Sequence, residues 1–329
     1  MHREDTKGTK RRREGLSAGA AKTGPASSSA TGGFTSKSAP WLFLAPFLVC
    51  FALFTVYPLV QSVVLSMQTT FGPGATKFVG LSNYRGLMHD PLFWIALKNT
   101  AVYTLGSLFI QLPIALGLAL VLETPGLKGR SWIRLLLFSP SMVGVVFASM
   151  MFALIFEKQT GLANQGLRAM LAPLGIEWNL DFGWLQQHVM SALIVASLWM
   201  FVGFNMTFFS AALQNVRKDL LEAAVVDGAG PIRRFFTVTV PAIRPVAGFV
   251  VLMSVIGSFQ LFELPFIMFN NTSGPDNRAM TIVLYLFQNG FETGDLGYAS
   301  AIGWALAIIL LACAGIQRLT ARGEEAGAA

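Results

Sequence analysis

Residues 221–231 read Leu-Glu-Ala-Ala-Val-Val-Asp-Gly-Ala-Gly-Pro, and this polar-edged stretch lies between two long apolar segments of the chain. Its glutamate and alanines favour a helix, which Gly228 and Gly230 are expected to end. Pro231 suits the first position of a second short helix. The stretch therefore predicts a helix, a glycine turn and another helix.

The flanks of this stretch predict where its first helix begins and where the chain returns to apolar surroundings. Asp219 is predicted to cap the first helix, with Glu222 three residues later in the pattern of a capping box. Pro241 and Pro245 are predicted to mark re-entry into the next apolar segment. The small alanines allow close seating in a groove on another protein, but a plain connection between two segments fits the residues equally well.

Apolar residues dominate the rest of the chain, which is 53% hydrophobic and only 12% charged over 329 residues. Soluble domains carry about 25% charged residues, and a helix of about 20 apolar residues crosses a bilayer. Six segments meet or approach that length: 41–67, 96–122, 135–156, 189–213, 246–269 and 298–316. The predicted fold class is all-α, a polytopic membrane bundle of six transmembrane helices.

The distribution of basic residues predicts the orientation of this bundle. On alternating sides, the first tail, the loops 123–134 and 213–245 and the last tail hold 18 Lys and Arg, whereas the other three connections hold six. Positive charge collects on the cytoplasmic side of membrane proteins. Both termini and the loop 213–245 are therefore predicted to lie in the cytoplasm, in a multi-pass membrane protein.

The two ends of the chain differ in composition from the predicted membrane domain, 41–318. Residues 1–40 are rich in small polar and basic residues, including a basic run at 10–13, so a disordered cytoplasmic tail is predicted. This run either fixes orientation or touches anionic lipid. Residues 319–329 are predicted to be a short cytoplasmic tail.

The formal net charge of +7 does not indicate nucleic-acid binding, because the basic residues lie at the edges of apolar runs. Cys50 and Cys313 fall inside apolar runs. His2, His89 and His188 are isolated, with no acid or nucleophile placed beside them by spacing. The sequence therefore predicts no catalytic site and no metal site on this chain.

The glycine-turn loop resembles the signature loop of permeases from binding-protein-dependent ABC importers, with Glu-Ala-Ala, then Asp-Gly-Ala, then Phe, Pro and Pro. Other strings resemble the carbohydrate-uptake group of that family, specifically its maltose-type first permease subunit. These strings are Phe-Val-Gly-Leu at 78–81, Asp-Pro-Leu-Phe-Trp at 90–94, Phe-Gln-Leu-Phe at 259–262, Thr-Ile-Val-Leu-Tyr at 281–285 and Gly-Tyr-Ala-Ser-Ala at 297–301. The resemblance covers about residues 41–318. One departure is 270–275, where relatives usually have a glycine-richer turn.

The resemblance implies that the loop 213–245 is a coupling loop, whose helix docks into a cleft of a cytoplasmic ATPase. The residues carried over to this role are Glu222, Ala223, Ala224, Asp227, Gly228, Ala229 and Pro241. It also implies a second, similar but distinct permease as heterodimer partner, two ATP-binding subunits and an extracytoplasmic substrate-binding protein. The chain has no Gly-x-x-x-x-Gly-Lys phosphate loop. ATP and Mg are therefore expected on the partner ATPase, with no cofactor and no enzyme activity on this chain.

Polar residues inside apolar segments are costly and often mark a transport path. Candidates are Ser197, Asn205, Ser258, Gln260 and Glu263, with an aromatic face from residues such as Phe201. On one helix Ser258 and Gln260 would lie about 200° apart, and would not both face one cavity squarely. A buried amide such as Asn205 also serves simply to link helices.

The predicted function is passage of a sugar, preferably a disaccharide or short oligosaccharide. A monosaccharide or a glycerol-phosphate compound is an alternative solute, because the same subfamily serves both. A transporter driven by an ion gradient is a further alternative, but it would need intramembrane ionisable relays and repeated halves. Glu263 alone clearly qualifies as such an ionisable residue, and no repeat is evident.

Overall fold

The computed structural model of the chain describes residues 39–70, 76–176 and 182–327, and nearly all regular structure there is helical. These ranges contain fifteen α-helices: α1 (Ala39–Phe51), α2 (Tyr57–Ser66), α3 (Ser82–His89), α4 (Pro91–Gly106), α5 (Leu112–Leu122), α6 (Arg130–Phe138), α7 (Val145–Ile155), α8 (Leu162–Leu171), α9 (Val189–Gln214), α10 (Lys218–Val226), α11 (Pro231–Arg234), α12 (Val240–Phe259), α13 (Glu263–Met268), α14 (Ile282–Phe287) and α15 (Leu296–Gly327).

Tighter and wider helical turns and one small hairpin complete the described structure. The 3-10 turns are Ser139–Met142, Ala172–Leu174 and Pro275–Asn277, and the π turns are Ala52–Val56, Ser107–Gln111, Phe235–Thr239 and Gln288–Glu292. Strands β1 (Gln68–Thr69) and β2 (Lys77–Phe78) pair in antiparallel fashion, with Gln68 opposite Phe78.

The chain divides into two compact units, Met1–Val56 and Tyr57–Ala329. In the first unit, the described residues form α1 and the π turn after it, with largely exposed apolar side chains. All other described elements belong to the second unit. The predicted boundaries at residues 40 and 318 stay predictions, and residues 1–38 of the predicted tail lie outside the described residues.

Five described helices are long and apolar enough to cross a membrane, and one bent pair makes a sixth candidate. The five are Trp41–Ser66, Pro91–Leu122, Val189–Gln214, Pro231–Phe259 and Leu296–Leu319. The predicted all-α fold class with about six crossings is thereby confirmed. Since α15 continues to Gly327, helix extends beyond the predicted end of the sixth crossing and into the predicted C-terminal tail.

The third crossing is not the continuous helix that the apolar pattern of 135–156 predicts. It is the bent pair, Arg130–Met142 and Val145–Ile155, and its halves meet at 97°. A proline inside a helix lacks an N–H and clashes with the carbonyl four residues earlier, which for Pro140 belongs to Leu136. That carbonyl instead accepts a hydrogen bond from Ser139 Oγ at 3.0 Å. Helix α6 therefore ends at Phe138, and the two halves separate at Val143, whose ψ of 129° is extended. Continuity of 135–156 was a wrong prediction.

The fifth crossing departs from the predicted range, 246–269, at both ends. It begins earlier, because helical structure runs from Pro231 to Phe259 with Pro245 inside it. It also ends earlier, because Pro265 clashes with a helical carbonyl at Leu261. The Leu261 carbonyl instead accepts a hydrogen bond from Thr281 Oγ1 at 2.6 Å. The helix therefore stops at Phe259, and three residues separate it from α13.

Helix α9 is the most buried of the candidate spans and packs against α4, α5, α6 and α12. Its Ala192 and Ala196 are fully buried, so small side chains allow close approach of neighbouring helices. The closest approach is at Gly203, where an added Cβ would lie 1.8 Å from the Leu137 carbonyl oxygen. The main chain of α6 therefore rests directly on the middle of α9.

Asp90 joins the start of α4 to α14 and α15. Its Oδ1 accepts a hydrogen bond from the Leu92 N–H at 2.9 Å and caps α4. Its Oδ2 accepts from Tyr298 Oη at 2.7 Å and from Tyr285 Oη. Partial burial acts to raise the pKa of Asp90, but these hydrogen bonds to the ionised form outweigh it and hold the pKa below its ordinary value.

The turn between α13 and α14 contains the string that departs from the glycine-richer pattern of relatives. Four non-glycine residues here have positive φ, namely Asn270, Asn271, Asp276 and Asn277, with values from 51° to 64°. Asn and Asp are the non-glycine residues that best tolerate this left-handed region. They therefore take backbone positions that glycine usually fills.

Candidate functional site

A cavity of about 610 Å³ lies within the second unit, where α4, α7, α9, α12 and α13 meet. Its polar lining comes from hydroxyl, amide and carboxyl side chains: Ser107, Gln111, Asn205, Ser254, Ser258, Gln260 and Glu263. Its aromatic lining comes from Tyr103, Phe201, Phe204 and Phe262. Hydrogen-bonding groups set among aromatic faces suit a polar solute with many hydroxyls.

Five of the six predicted path residues line this cavity: Phe201, Asn205, Ser258, Gln260 and Glu263. The sixth, Ser197, lies on α9 outside the lining and is 1% exposed. Its hydroxyl donates a hydrogen bond to the Ile194 carbonyl at 2.9 Å, within its own helix. The structure therefore brings together most of the residues singled out by polarity, and their contact with a solute stays a prediction.

Ser258 and Gln260 both line the cavity, although a continuous helix would turn them about 200° apart. Helix α12 ends at Phe259, but the Gln260 N–H still donates to the Ile256 carbonyl at 3.2 Å, so Gln260 keeps the helical direction. Lining the cavity does not require both side chains to face it squarely, and the predicted difference in their directions stays a prediction.

Four further polar residues of the lining were not proposed from the sequence: Tyr103, Ser107, Gln111 and Ser254. The signal that could have found them is the spacing of Ser107 and Gln111, four residues apart in an otherwise apolar segment. In the structure Ser107 Oγ lies 3.4 Å from Gln111 Oε1, within a π turn. π turns inside helices are often found at functional sites.

The coupling loop contains α10, which ends as the sequence predicts. Gly228 has φ +72°, the left-handed conformation that favours glycine. Its N–H donates to the Val225 carbonyl at 3.0 Å, and the Ala229 N–H donates to the Ala224 carbonyl at 2.9 Å. This is the Schellman pattern of a helix C-terminus. Pro231 then begins α11, in agreement with the sequence.

The predicted capping box at the start of α10 was wrong. The N-cap residue is Arg217, with no side-chain cap, and Asp219 lies inside the first turn of the helix. The Asp219 carboxylate pairs with the Arg217 guanidinium instead, with Arg217 Nε 3.3 Å from Asp219 Oδ1. The hydrogen bond from Arg217 lowers the pKa of Asp219. Partial desolvation raises it by a smaller amount, so the pKa stays below its ordinary value.

The second predicted short helix is also not separate. Helix α11 continues through the π turn Phe235–Thr239 into α12. Pro241 and Pro245, predicted to mark re-entry into the next apolar segment, lie about three and four turns inside the candidate span that begins at Pro231.

The coupling loop carries an exposed apolar side chain on α10, where Val226 is 87% exposed. Ile232 and Phe236 are 75% and 63% exposed, but they lie in the candidate span Pro231–Phe259. Glu222 and Ala223 are exposed as well. On its other face Leu221 packs against the buried cluster of Ala212, Val216 and Ile243. The helix is thus anchored to the bundle on one face, and the other face offers apolar surface of the kind that marks contact sites.

Comparison with known proteins gives this arrangement a family context. Residues 129–322, more than half of the chain, match the family described as binding-protein-dependent transport system inner membrane component. The chain is 38% identical over 281 residues to the arabinooligosaccharides transport system permease protein of Bacillus subtilis, covering 84% of this chain and 87% of that protein. It is 33% identical over 288 residues to the lactose transport system permease protein of Rhizobium radiobacter, covering 87% and 94%.

The fold also matches a solved structure. A bacterial ABC transporter involved in the import of the acidic polysaccharide alginate aligns with a TM-score of 0.72 and 22% sequence identity. The alignment covers 86% of this chain and 94% of that chain. At this identity the likeness shows the fold alone, and it agrees with a multi-pass membrane bundle.

Proposed function

We propose, since the chain belongs to the binding-protein-dependent transport system inner membrane component family, that it is the membrane-spanning permease subunit of an ATP-binding-cassette importer for a sugar. The observation that carries this proposal is the pairing of two features in one chain. One is a cavity lined by hydroxyls, amides and aromatic rings. The other is a loop helix with exposed apolar side chains outside the candidate spans.

The coupling loop is the contact with an ATPase in this proposal. ATP and Mg bind to two separate ATP-binding subunits, and closure of that pair pushes α10. Exposed Val226 supports such a contact, because a solvated connecting loop has no need of apolar surface there. The basic residues of the coupling loop support a cytoplasmic position for it and for both termini.

The cavity is the solute path in this proposal, and a second, similar permease supplies its other wall. A sugar reaches it from an extracytoplasmic binding protein. We favour a disaccharide or short oligosaccharide, since relatives at 33–38% identity are named for arabinooligosaccharides and lactose. Asn205 and Gln260 would donate and accept hydrogen bonds with sugar hydroxyls, while Phe201 and Phe262 would stack on sugar rings.

Uptake by the complete complex in lipid vesicles tests this proposal. The complex of two permeases and two ATP-binding subunits is reconstituted with its binding protein and offered labelled lactose and arabino-oligosaccharides. We expect accumulation that needs both ATP and the binding protein, with a non-hydrolysable ATP analogue as control. Uptake that persists without ATP and stops with an ionophore would instead identify a transporter driven by an ion gradient.

A further inference from the structure

Glu123 follows α5 directly, and its carboxylate joins three helices. Its Oε1 accepts hydrogen bonds from Gln214 Nε2 at 3.0 Å and from Arg134 Nη2 at 3.2 Å. Its Oε2 pairs with Arg130 Nη2. Burial acts to raise the pKa of Glu123, but hydrogen bonds from Gln214 and Arg130 outweigh it and lower the pKa, so the carboxylate is ionised at neutral pH.

The exposure of these partners argues against a role in stability alone. The Glu123 side chain is 16% exposed, whereas Arg130 and Arg134 are 37% and 38% exposed. Ion pairs with partners this exposed add little to folding stability. The two arginines lie four residues apart on one face of α6, so they fix the position of that helix against the carboxylate.

Gln214, the α9 partner of Glu123, lies next to the coupling loop. It is the last residue of α9, and only three residues separate it from α10. One of these, Val216, is buried with Ala212 and Ile243, and Leu221 of α10 packs against the same group. Val216 and Leu221 therefore connect α10 to the end of α9 and to the amide that donates to Glu123.

The two arginine partners of Glu123 connect it to the cavity through α6. Arg130 and Arg134 belong to this helix, which lies in the first half of the broken third crossing. At its far end α6 rests on Gly203 of α9, and the break then leads to Val145, which lines the cavity. Helix α6 is thus held at one end by Glu123 and at the other by α9, between the coupling loop and the solute path.

We propose that Glu123 is a positioning residue that transmits movement of the coupling loop to the broken third crossing, so that ATP hydrolysis is coupled to opening of the cavity. This inference rests on the proposed function. Coupling requires both ends of this set of contacts to respond together, so the test measures uptake per ATP in addition to ATP hydrolysis.

The test uses Glu123→Gln in the complete reconstituted complex, with Glu157→Gln as matched control. The Glu157 carboxylate is exposed and contacts only its own turn, at Gln159 and Thr160. We expect Glu123→Gln to retain ATP hydrolysis while sugar uptake per ATP falls by about fivefold or more, as for loss of a typical coupling between sites. The control should match the wild type in both quantities.

A labelling experiment separates coupling from a structural effect. Met142 ends the first half of the broken crossing and is 75% exposed, so Met142→Cys, with Cys50 and Cys313 replaced by serine, reports on the third crossing. Met142 is the last residue before the break, and we expect a nucleotide-dependent change in its labelling rate in the parent and loss of this change in Glu123→Gln. A purely structural role would lower assembly and would leave uptake per ATP and the nucleotide response unchanged.

A second variant keeps the test decisive if Glu123→Gln does not assemble. Gln214→Leu removes only the link to α9 and leaves both arginine pairs intact, and we expect it to uncouple uptake in the same way. Wild-type uptake per ATP and a wild-type labelling response in the assembled variants would overturn the inference. Lack of any ATP-driven uptake in the wild-type complex would instead overturn the proposed function.

Discussion

Replacement of Gly228 by alanine tests whether the shape of the coupling loop matters, without adding a clash. Gly228 has φ +72°, and no atom lies within 4 Å of an added Cβ, so the cost is conformational only. A left-handed backbone costs an L-residue about 1–2 kcal/mol. That amount shifts the equilibrium between the closed turn and open forms by about 5- to 30-fold.

The matched control is Gly230→Ala, two residues away in the same loop. Gly230 also has open space around an added Cβ, but its φ of −64° and ψ of 167° are ordinary for any residue. Two assays apply: hydrogen exchange of the amides at 228 and 229, which the Schellman turn protects, and ATP-dependent uptake by the reconstituted complex. We expect faster exchange and weaker uptake for Gly228→Ala only.

The result that would refute this reasoning is equal behaviour of the two variants. If both leave exchange and uptake at wild-type values, the turn at Gly228 does not set the geometry of the loop. If exchange rises in Gly228→Ala while uptake is unchanged, the turn is real but the coupling loop is not a contact through which ATP hydrolysis acts.

Three further predictions concern the bundle, the Asp90 contacts and the cavity. Gly203→Ala should destabilise the protein by about 1–3 kcal/mol, because the methyl group meets the main chain of α6; thermal unfolding in detergent should show no such loss for Gly117→Ala, which has open space. The folded pKa of Asp90 lies below its ordinary value, so the stabilisation that its ionised form provides is present above about pH 4 and is lost as the pH falls through the folded pKa. Asp90→Asn should therefore lower the unfolding temperature at neutral pH and remove this acid dependence. An unchanged dependence of the unfolding temperature on acid would contradict the role of Asp90. Gln260→Ala should lower sugar uptake roughly 2- to 10-fold, which corresponds to the loss of one hydrogen bond, while ATP hydrolysis is retained. Gln165→Ala, at an exposed position, is the control, and equal uptake by the two variants would exclude Gln260 from the solute path.

The straight crossings could be predicted from the sequence because length and apolarity are properties of the segment itself. The fourth crossing, predicted as 189–213, is Val189–Gln214 in the structure. The broken crossings could not be placed in this way. A proline disturbs the carbonyl four residues before it, and the donor that satisfies this carbonyl can come from a distant part of the chain. For Leu261 that donor is Thr281, which lies 20 residues away in sequence.

The composition of the candidate site could be predicted only in part. Polar residues in apolar segments identified Asn205, Ser258 and Gln260, all of which line the cavity. Ser107, Gln111 and Ser254 also line it but were not proposed, because the meeting of separate segments around one cavity is not visible in any one segment. In the coupling loop Gly228 was predicted correctly from its backbone freedom, whereas the cap at Asp219 failed because Arg217 pairs with that carboxylate.

The 97° break in the third crossing has a consequence for how the chain is inserted during its synthesis. Arg130–Met142 is about 20 Å long and Val145–Ile155 about 17 Å, whereas the hydrocarbon layer is about 30 Å thick. Neither half alone is long enough to span the hydrocarbon layer. The main chain at the break is not helical, so its N–H and C=O groups cannot face lipid. We therefore expect this crossing to insert stably only after α9 has emerged from the ribosome, because α6 packs on Gly203 of that helix. Stable insertion of the third crossing would then follow that of the fourth.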